Sequence, residues 1–526
     1  MEWTEEAKKA FEAVPPFVRP MAKKGVEAYA RTKGQGTITP ELIKQAKGKM
    51  MGNRQGGPAI NQGELDRKTS VLTPEDQRRF FAREGVDPLR HAFDRKSAVH
   101  AGAGGDPLPA EEALPTWQAL SNKPDRSSKR TAYIHIPFCE GRCRFCGFYM
   151  NPFRKDESVR YIDAILEEIK LTSERPAVTS HPIHAVYLGG GTPTALEPDD
   201  LKRLLKGIAC MLPLSNDCEI TVEGRVHNFG LEKMEACVEG GANRFSIGVQ
   251  TFNTKIRQQM GRIEERSKVL EILRQLCSLD QGAVIIDLIY GFPEQTMEIW
   301  KEDLRTLMEE TNLDGADLYQ LNIFKGGALS KAIEDGKMAP AADIPTQADM
   351  FAMGREMMIN ARWRRLSMCH WGRTTGERNR YNSYTRYGAL CIPLGSGAGG
   401  RLHGHYFFQE GDLKTYYQRV NAGGKPVATA IRLPDDTSLF INLVGQLEEG
   451  AVNFARLGKE HNTDLEKIFS PILEQWKKTR IVRLPGDGWM ELTIAGEFWN
   501  VNLAQALIDY FLLAKKEKGR PGAMVL

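Results

Sequence analysis

Long hydrophobic runs are missing from this chain of 526 residues: no stretch of eighteen consecutive apolar residues occurs, which argues against a spanning helix and a membrane partner. The first residues hold no apolar segment of the secretory type, so a cytoplasmic location is expected. A surplus of one charge is nearly missing too. Lys and Arg number 71 against 67 Asp and Glu, a net +4, and no predicted helix has a concentrated basic face, so nucleic acid is not an expected partner. Residues 1–50 hold ten Lys/Arg and six Asp/Glu, which equals the whole surplus; a module meeting an anionic partner and a solvated helix face are the alternatives there. Cysteine is sparse, nine residues in all, and the paired C-x-x-C knuckles of a structural zinc site are absent.

Three of the nine cysteines stand together in Tyr133-Ile-His-Ile-Pro-Phe-Cys139-Glu-Gly-Arg-Cys143-Arg-Phe-Cys146-Gly-Phe-Tyr149. Residues 131–136 alternate and are β-rich, which predicts a strand. The thiols then sit on the loop leaving its C-terminal end, where α/β barrels do chemistry. C-x3-C-x2-C can ligate three irons of a cubane and leaves the fourth open, whereas a closed cluster takes four thiolates. Structural zinc is the alternative. The pattern resembles the radical S-adenosylmethionine (SAM) superfamily. That resemblance implies a 4Fe-4S cluster whose open iron chelates SAM, and an electron that cleaves SAM to a 5′-deoxyadenosyl radical.

Residues 1–50 are predicted to form a small helical domain, with Trp3, Ala7, Phe11 and Val14 at helical spacing before Pro15-Pro16 and Thr39 capping a second helix. Trp3-Thr-Glu-Glu-Ala7, Pro16-Phe-Val-Arg19 and Gly36-Thr-Ile-Thr39-Pro-Glu-Leu-Ile43 resemble the small domain that ends the B subunit of light-independent protochlorophyllide reductase. The resemblance implies a neighbouring tetrapyrrole; a plain docking domain is the alternative. Residues 51–128, rich in Gly, Pro and charge, are expected to be linker with helical patches such as 74–84. From 129 to 330 strand and helix signals alternate, with strands expected at 131–136, 184–188, 218–223, 243–249, 283–289 and 317–322. The fold class is α/β, a partial (β/α)6 barrel. A substrate-binding extension is expected at 331–434 and a helical, winged-helix-like domain at 435–526, with a β-hairpin within 480–493.

The predicted strand ends carry residues that packing does not require: Gly190, Gly191 and Thr192 after the second, Glu223, Gln250, Arg262 after the fourth, and Asp287. Glycines let backbone N–H groups approach a charged ligand, and an acid, an amide, a guanidinium and a second acid suit a zwitterion bearing a ribose. Ionic core pairs are the alternative for each alone. Together these stretches resemble the coproporphyrinogen dehydrogenase-like branch of the superfamily. By that resemblance Tyr133 lies beside the SAM sulfonium, Gly190, Gly191 and Thr192 meet its amino group, and Glu223, Gln250, Arg262 and Asp287 hold its methionine and ribose parts.

Coproporphyrinogen III dehydrogenases carry a fourth cysteine where this chain has Phe148. The cluster loop, the run from Met368-Cys-His-Trp371 to Asn382, and Leu394 to Gly404 resemble instead the anaerobic haem-degrading methyltransferases, the anaerobilin synthases. What this implies is a methyltransferase using two SAM molecules, haem opened to a linear methylated tetrapyrrole, iron release, and a low-potential electron donor of flavodoxin or ferredoxin type. Eight arginines lie between Arg362 and Arg401, and planar forks suit propionates; Arg373 and Arg378 are candidates. His370, His403 and His405 are candidate iron ligands or proton donors, and Cys369 a candidate thiolate, with His370 and Cys369 the candidate catalytic groups. Decarboxylation of coproporphyrinogen and haem chaperoning are the rival functions.

Overall fold

The computed structural model describes residues 2–11, 23, 26–27, 29–31, 33–43, 72–97, 100–125 and 129–518. They form two compact units, Met1–Val71 with Pro485–Gly488, and Leu72–Leu484 with Trp489–Leu526. In the first, helix Glu5–Phe11 and the parallel strands Glu2–Trp3 and Thr37–Ile38 enclose Ala7, Val26, Ala30, Ile38 and Leu42. The Thr39 hydroxyl accepts the Leu42 N–H at 3.3 Å, the cap its sequence predicts. Val14 to Arg19 and residues 51–71 lie outside the described residues.

The second unit is built on one sheet of thirteen strands. In chain order they are β1 Asp106–Pro107, β2 Arg130–Ile136, β3 Ile183–Gly190, β4 Leu214–Arg225, β5 Arg244–Gln250, β6 Ala283–Tyr290, β7 Gly315–Gln320, β8 Arg364–Arg365, β9 His370–Gly372, β10 Leu390–Leu394, β11 Gly399–Leu402, β12 His405–Gln409 and β13 Val427–Arg432. Their spatial order is β8-β9-β7-β6-β5-β4-β3-β2-β10-β11-β12-β13-β1. From β10 through β2 to β7 all neighbours are parallel; the outer strands on both sides are antiparallel. The six expected barrel strands are β2 to β7. The stretch 331–434 is not a separate layer: it supplies the seventh parallel strand, β10, and both antiparallel margins apart from the edge strand β1.

Alternation explains each barrel strand. In β2, Ala132, Ile134 and Ile136 are fully buried against helices, and Thr131, Tyr133 and His135 take the other face. Helix Lys155–Ser173 lays Ile162, Ile165 and Ile169 on that core at no exposure, each contributing about 2 kcal/mol. Register then stacks the inner face in layers. Tyr133 stands opposite Tyr187 and Tyr187 opposite Thr221; Asp287 stands opposite Asp317, and Asp317 opposite His370. The lumen is therefore lined with phenols and ionisable groups.

Residues 437–518 form a helical region with a three-stranded sheet, Ala451–Asn453, Val482–Gly486 and Trp489–Leu492, and the long helix Asn500–Lys518; two of these strands lie where the hairpin is expected. Among the described residues no helix is long and apolar enough to cross a membrane. From Leu72 on, the stretch expected to be linker is packed structure. The indoles of Trp476 and Trp499 donate to Phe80 O (2.8 Å) and Leu89 O (2.9 Å), and Gln475 bonds both the N–H and the C=O of Ala82. Trp117, on helix Ala110–Ser121, enters the barrel core at 3% exposure. Gly and Pro content misled here because local composition says nothing of docking onto residues four hundred positions away.

A chain beginning at Leu72 is expected to melt at the temperature of the full chain's larger unit. One beginning at Pro115 leaves the Trp476, Trp499 and Gln475 donors without partners, each costing about 1–3 kcal/mol, so its midpoint should fall by about 5 °C or more. Equal midpoints by calorimetry would return 72–114 to linker.

Candidate active site

The cluster loop is stapled on three sides. Gly191 N–H donates to Ile136 O (2.8 Å) and Thr192 N–H to Phe138 O (2.7 Å). A Cβ on Gly191 would lie 2.5 Å from Phe138 O, so glycine is required for this approach. Arg144 N–H donates to Met260 O (3.1 Å), Leu329 N–H to Arg144 O (2.9 Å) and Arg225 Nη1 to Gly141 O (2.8 Å). The strand pair Phe138–Cys139 and Asn151–Pro152 closes the loop's base. It presents Cys139, Cys143 and Cys146 as free thiols. Thr192 Oγ1 donates to Cys139 Sγ (3.4 Å) and Phe148 N–H to Cys146 Sγ (3.3 Å). Burial lifts the Cys139 and Cys146 thiols, with the other loop thiols adding to it. Among the described residues no three such side chains close on a point as one metal ion demands; a cubane, whose ligands sit on separate irons, does not ask for that.

The predicted SAM residues share the rim below that loop. Glu223 is half-buried and lifted to about 8, by desolvation and then by Asp287, against the Gly190 N–H and Arg262. Asp287 is lifted to about 7 by burial and Asp317, against Arg262, Arg244 and His370. Arg262, 7% exposed, donates to Gly248 O and interacts with Cys143. Gln250 ends β5 at φ +73°, a left-handed conformation that costs a non-glycine residue free energy. Gln250 Oε1 and Arg262 Nε are buried with no hydrogen-bond partner. Two acids lifted toward neutrality, a spare acceptor and a spare guanidinium donor fit a ligand carrying ammonium, sulfonium and carboxylate. The N–H groups of Gly191 and Thr192 do not face such a ligand as the Gly run suggested, being committed to the cluster loop. Tyr133 lies on the lumen with its hydroxyl 3.1 Å from His135 Nδ1.

Below the rim the lumen is closed by a segment that runs from β9 to β10. Glu377, fully buried, binds Arg244 Nε at 3.0 Å and His370 Nε2 at 3.1 Å. Asp317 takes His370 Nδ1 at 2.8 Å. Burial opposes the charge on His370, yet the two carboxylates raise it to about 9. Burial opposes ionisation of Glu377 too, and Arg244 and His370 overcome it, to about 2. Glu219 accepts the N–H groups of Arg380 (3.0 Å) and Tyr381 (3.1 Å). Tyr381 then packs on Tyr187 and Tyr133, at 4.9 and 6.3 Å between ring centroids.

This geometry corrects the expected substrate set. His370 holds both ring nitrogens to carboxylates at 1% exposure, so it has no lone pair for iron. Cys369 is lifted well above the ordinary thiol range by burial and Asp317, so it stays a thiol. Arg373 donates to Thr311 O (2.6 Å), before β7, and exposed Arg378 follows Glu377; both stand at the strands' N-terminal end, opposite the cluster. His403 approaches Lys123 O (3.3 Å) and His405 Nδ1 approaches His403 O (3.0 Å) in the β11–β12 turn, at that same far end. Sequence reasoning missed Asp317, Glu377, Arg244, Tyr187 and Arg225. Asp317 and Tyr319 alternate with apolar residues in one strand, a signal that was present; Glu377 has no local signal, because its partners are 133 and seven residues away.

The Radical SAM superfamily matches residues 133–307 and the Proto-chlorophyllide reductase 57 kD subunit family matches residues 3–47. Anaerobilin synthase of Escherichia coli O157:H7 is 39% identical over 442 residues, covering 84% of this chain and 95% of that protein. Oxygen-independent coproporphyrinogen III oxidase of Salmonella typhimurium is 26% identical, covering 63% and 73%, and heme chaperone HemW of Bacillus subtilis 24%, covering 66% and 90%. The solved coproporphyrinogen III oxidase (HemN) of Escherichia coli superposes with a TM-score of 0.66 at 21% identity over 79% of this chain and 97% of that one, which shows a shared fold.

Three outcomes are expected. Replacing Cys139, Cys143 or Cys146 by Ala should abolish the visible absorbance of reconstituted protein, since three thiolates are the minimum for a site-open cubane; retained absorbance in any variant would sink that role. Glu377→Gln should destabilise by about 3–5 kcal/mol, because it leaves His370 and Arg244 under-compensated in the interior. The pH signs are opposite for the pair. His370, raised from 6.5 to about 9, contributes stability in full below pH 6.5 and loses it as pH rises through 9; Glu377, lowered from 4.5 to about 2, contributes in full above 4.5 and loses it as pH falls through 2. Urea midpoints of the parent should therefore drop between pH 7 and 9 relative to His370→Gln, and parallel curves would contradict the network.

Proposed function

This chain belongs to the radical SAM superfamily and, within it, to the family of anaerobilin synthase, and from that membership we propose that it is a radical SAM methyltransferase that opens haem without oxygen, giving a linear methylated tetrapyrrole and free iron. The observation that carries this reading is the 39% identity spread over 95% of the relative's length, an extent that reaches well beyond the barrel common to the superfamily. When bound, a 4Fe-4S cluster and SAM supply reductive cleavage to a 5′-deoxyadenosyl radical, the hard chemistry that cofactors carry.

The chain's own residues bind, orient and exclude water. Cys139, Cys143 and Cys146 would hold the cluster, and Arg262 offers a fork to the SAM carboxylate. Glu223 and Asp287 sit where sulfonium, ammonium and ribose hydroxyls need acceptors, and a cation arriving there favours their ionised forms. Gln250 adds an amide oxygen. The Tyr133, Tyr187 and Tyr381 stack fills the lumen beneath. With the floor closed, haem enters from the strands' C-terminal mouth, where half-exposed Tyr319 lines the wall. Residues 129–434 then act as one catalytic body, 435–526 as its helical cover, and 1–50 as an appended small helical module. The reaction draws on an external low-potential one-electron donor of the flavodoxin or ferredoxin class, in the cytoplasm.

Phe148 stands where a coproporphyrinogen dehydrogenase would carry its fourth cysteine, which disfavours decarboxylation. Anaerobic turnover with haem and SAM bearing a CD3 group separates the readings by mass. The expected result is one deuterium in 5′-deoxyadenosine and two, with their carbon, in a linear tetrapyrrole. Unlabelled deoxyadenosine with released carbon dioxide would establish a decarboxylase instead, and haem of unchanged mass a chaperone.

A further inference from the structure

Thirteen large apolar side chains are conspicuously exposed among the described residues, and five of them, Phe148, Met150, Ile263, Ile323 and Phe324, stand on the loops around the three thiols. Phe148 is 71% and Ile263 68% exposed, the two highest values in the set. The loops are joined. A Cβ on Gly147 would lie 3.1 Å from the Phe324 ring, and one on Gly261, two residues before Ile263, 3.0 Å from Arg142 O. Apolar surface concentrated this way marks a binding face. Arg142, Arg144 and Lys325 border it, all exposed, and none is paired with a carboxylate among the described residues; Arg142 stacks over Tyr149. The nearby acids are engaged, Glu140 by Asn228 and Glu264 by His227.

We propose that this face docks an acidic, low-potential one-electron donor protein. Side chains two-thirds exposed stand proud of the surface, as anchors that insert into a protein partner do, whereas a small planar ligand needs a concave site. Unpaired cations around an apolar centre select a negatively charged partner and speed its encounter. The position suits electron transfer, because Phe148 follows Cys146 by two residues and its N–H touches that thiol. One electron leaves the donor's reduced flavin or iron-sulfur centre and reduces the three-thiolate cluster by one, with no bond broken in that step. The inference rests on the function proposed above and on those thiols as cluster ligands.

The test uses the full-length protein, Arg142→Glu/Lys325→Glu and Ile263→Asp variants, and a flavodoxin of net negative charge. By surface plasmon resonance the parent should bind reduced or oxidised flavodoxin, and each variant should bind about tenfold more weakly or worse, with raised salt weakening the parent more than the charge-reversed protein. Flavodoxin-driven reduction of the reconstituted cluster, followed by its absorbance, should slow in parallel, while dithionite-driven reduction stays at the parent rate. Binding unchanged in both variants, or no binding by the parent, overturns the proposal. So does equal loss with flavodoxin and with dithionite, which would place these residues in the cluster's own support. Failure of dithionite-reduced parent to consume haem would instead count against the proposed function.

Discussion

Everything in the catalytic body depends on how charge is held in a dry barrel, and one carboxylate governs that. Glu377 lies between Arg244 and His370 with no exposure, and an uncompensated charge at that depth would be prohibitive. Its two cations arrive from different strands, β5 and β9, so the ion group ties an inner barrel strand to the sheet's margin. The same contact turns the chain beneath the strands, where Glu219 caps the next two N–H groups. His370 in turn neutralises Asp317, which faces Asp287 across the β6–β7 pair. Were His370 neutral, one of the three cations that hold Asp287 down beside Asp317 would be gone, leaving Arg262 and Arg244, and Asp287 would be driven further toward its protonated form.

This explains which parts of the fold and site the sequence made legible. The six barrel strands follow from period-two alternation, and the observed boundaries differ from the expected ones by a few residues. The thiols, Glu223, Gln250, Arg262 and Asp287 could be picked out as candidates because chemistry at a strand end stands out against packing. What a strand's sequence cannot state is which other strand lies beside it. The order β9-β7 at one margin and β10-β2 at the other arises from pairings over long separations, so 331–434 read as an added domain when it is sheet. The segment 72–125 failed for the same reason, its partners being Gln475, Trp476 and Trp499.

The run from His370 to Tyr381 shows how a distinctive motif can be assigned to the wrong task. Histidine, arginines and threonines in close sequence look like a ligand set, and their residue types suit propionates and iron. In space the run descends the sheet margin and crosses the floor. Arg373 and Thr374 bind the turn at Thr311–Asp314, and His370 is consumed by Asp317 and Glu377. A motif's chemistry is therefore set by which end of the barrel it reaches.

With the floor sealed, the two ends of the barrel have opposite duties. Below, Glu377, His370, Arg244 and Glu219 have protein partners at hydrogen-bond distance, and Glu377 is pushed far below its ordinary range. At the rim, Glu223 and Asp287 are pushed upward, while Gln250 Oε1 and Arg262 Nε have no partner. A fold that pairs the Glu377 ion group at one end and gathers a spare acceptor, a spare donor and two under-ionised acids at the other has put together at the rim interactions that a ligand would supply. A ligand with two cationic centres and one carboxylate answers each of them, and its arrival should lower both rim acids together, because Asp287 raises Glu223 now and both would feel the incoming positive charge.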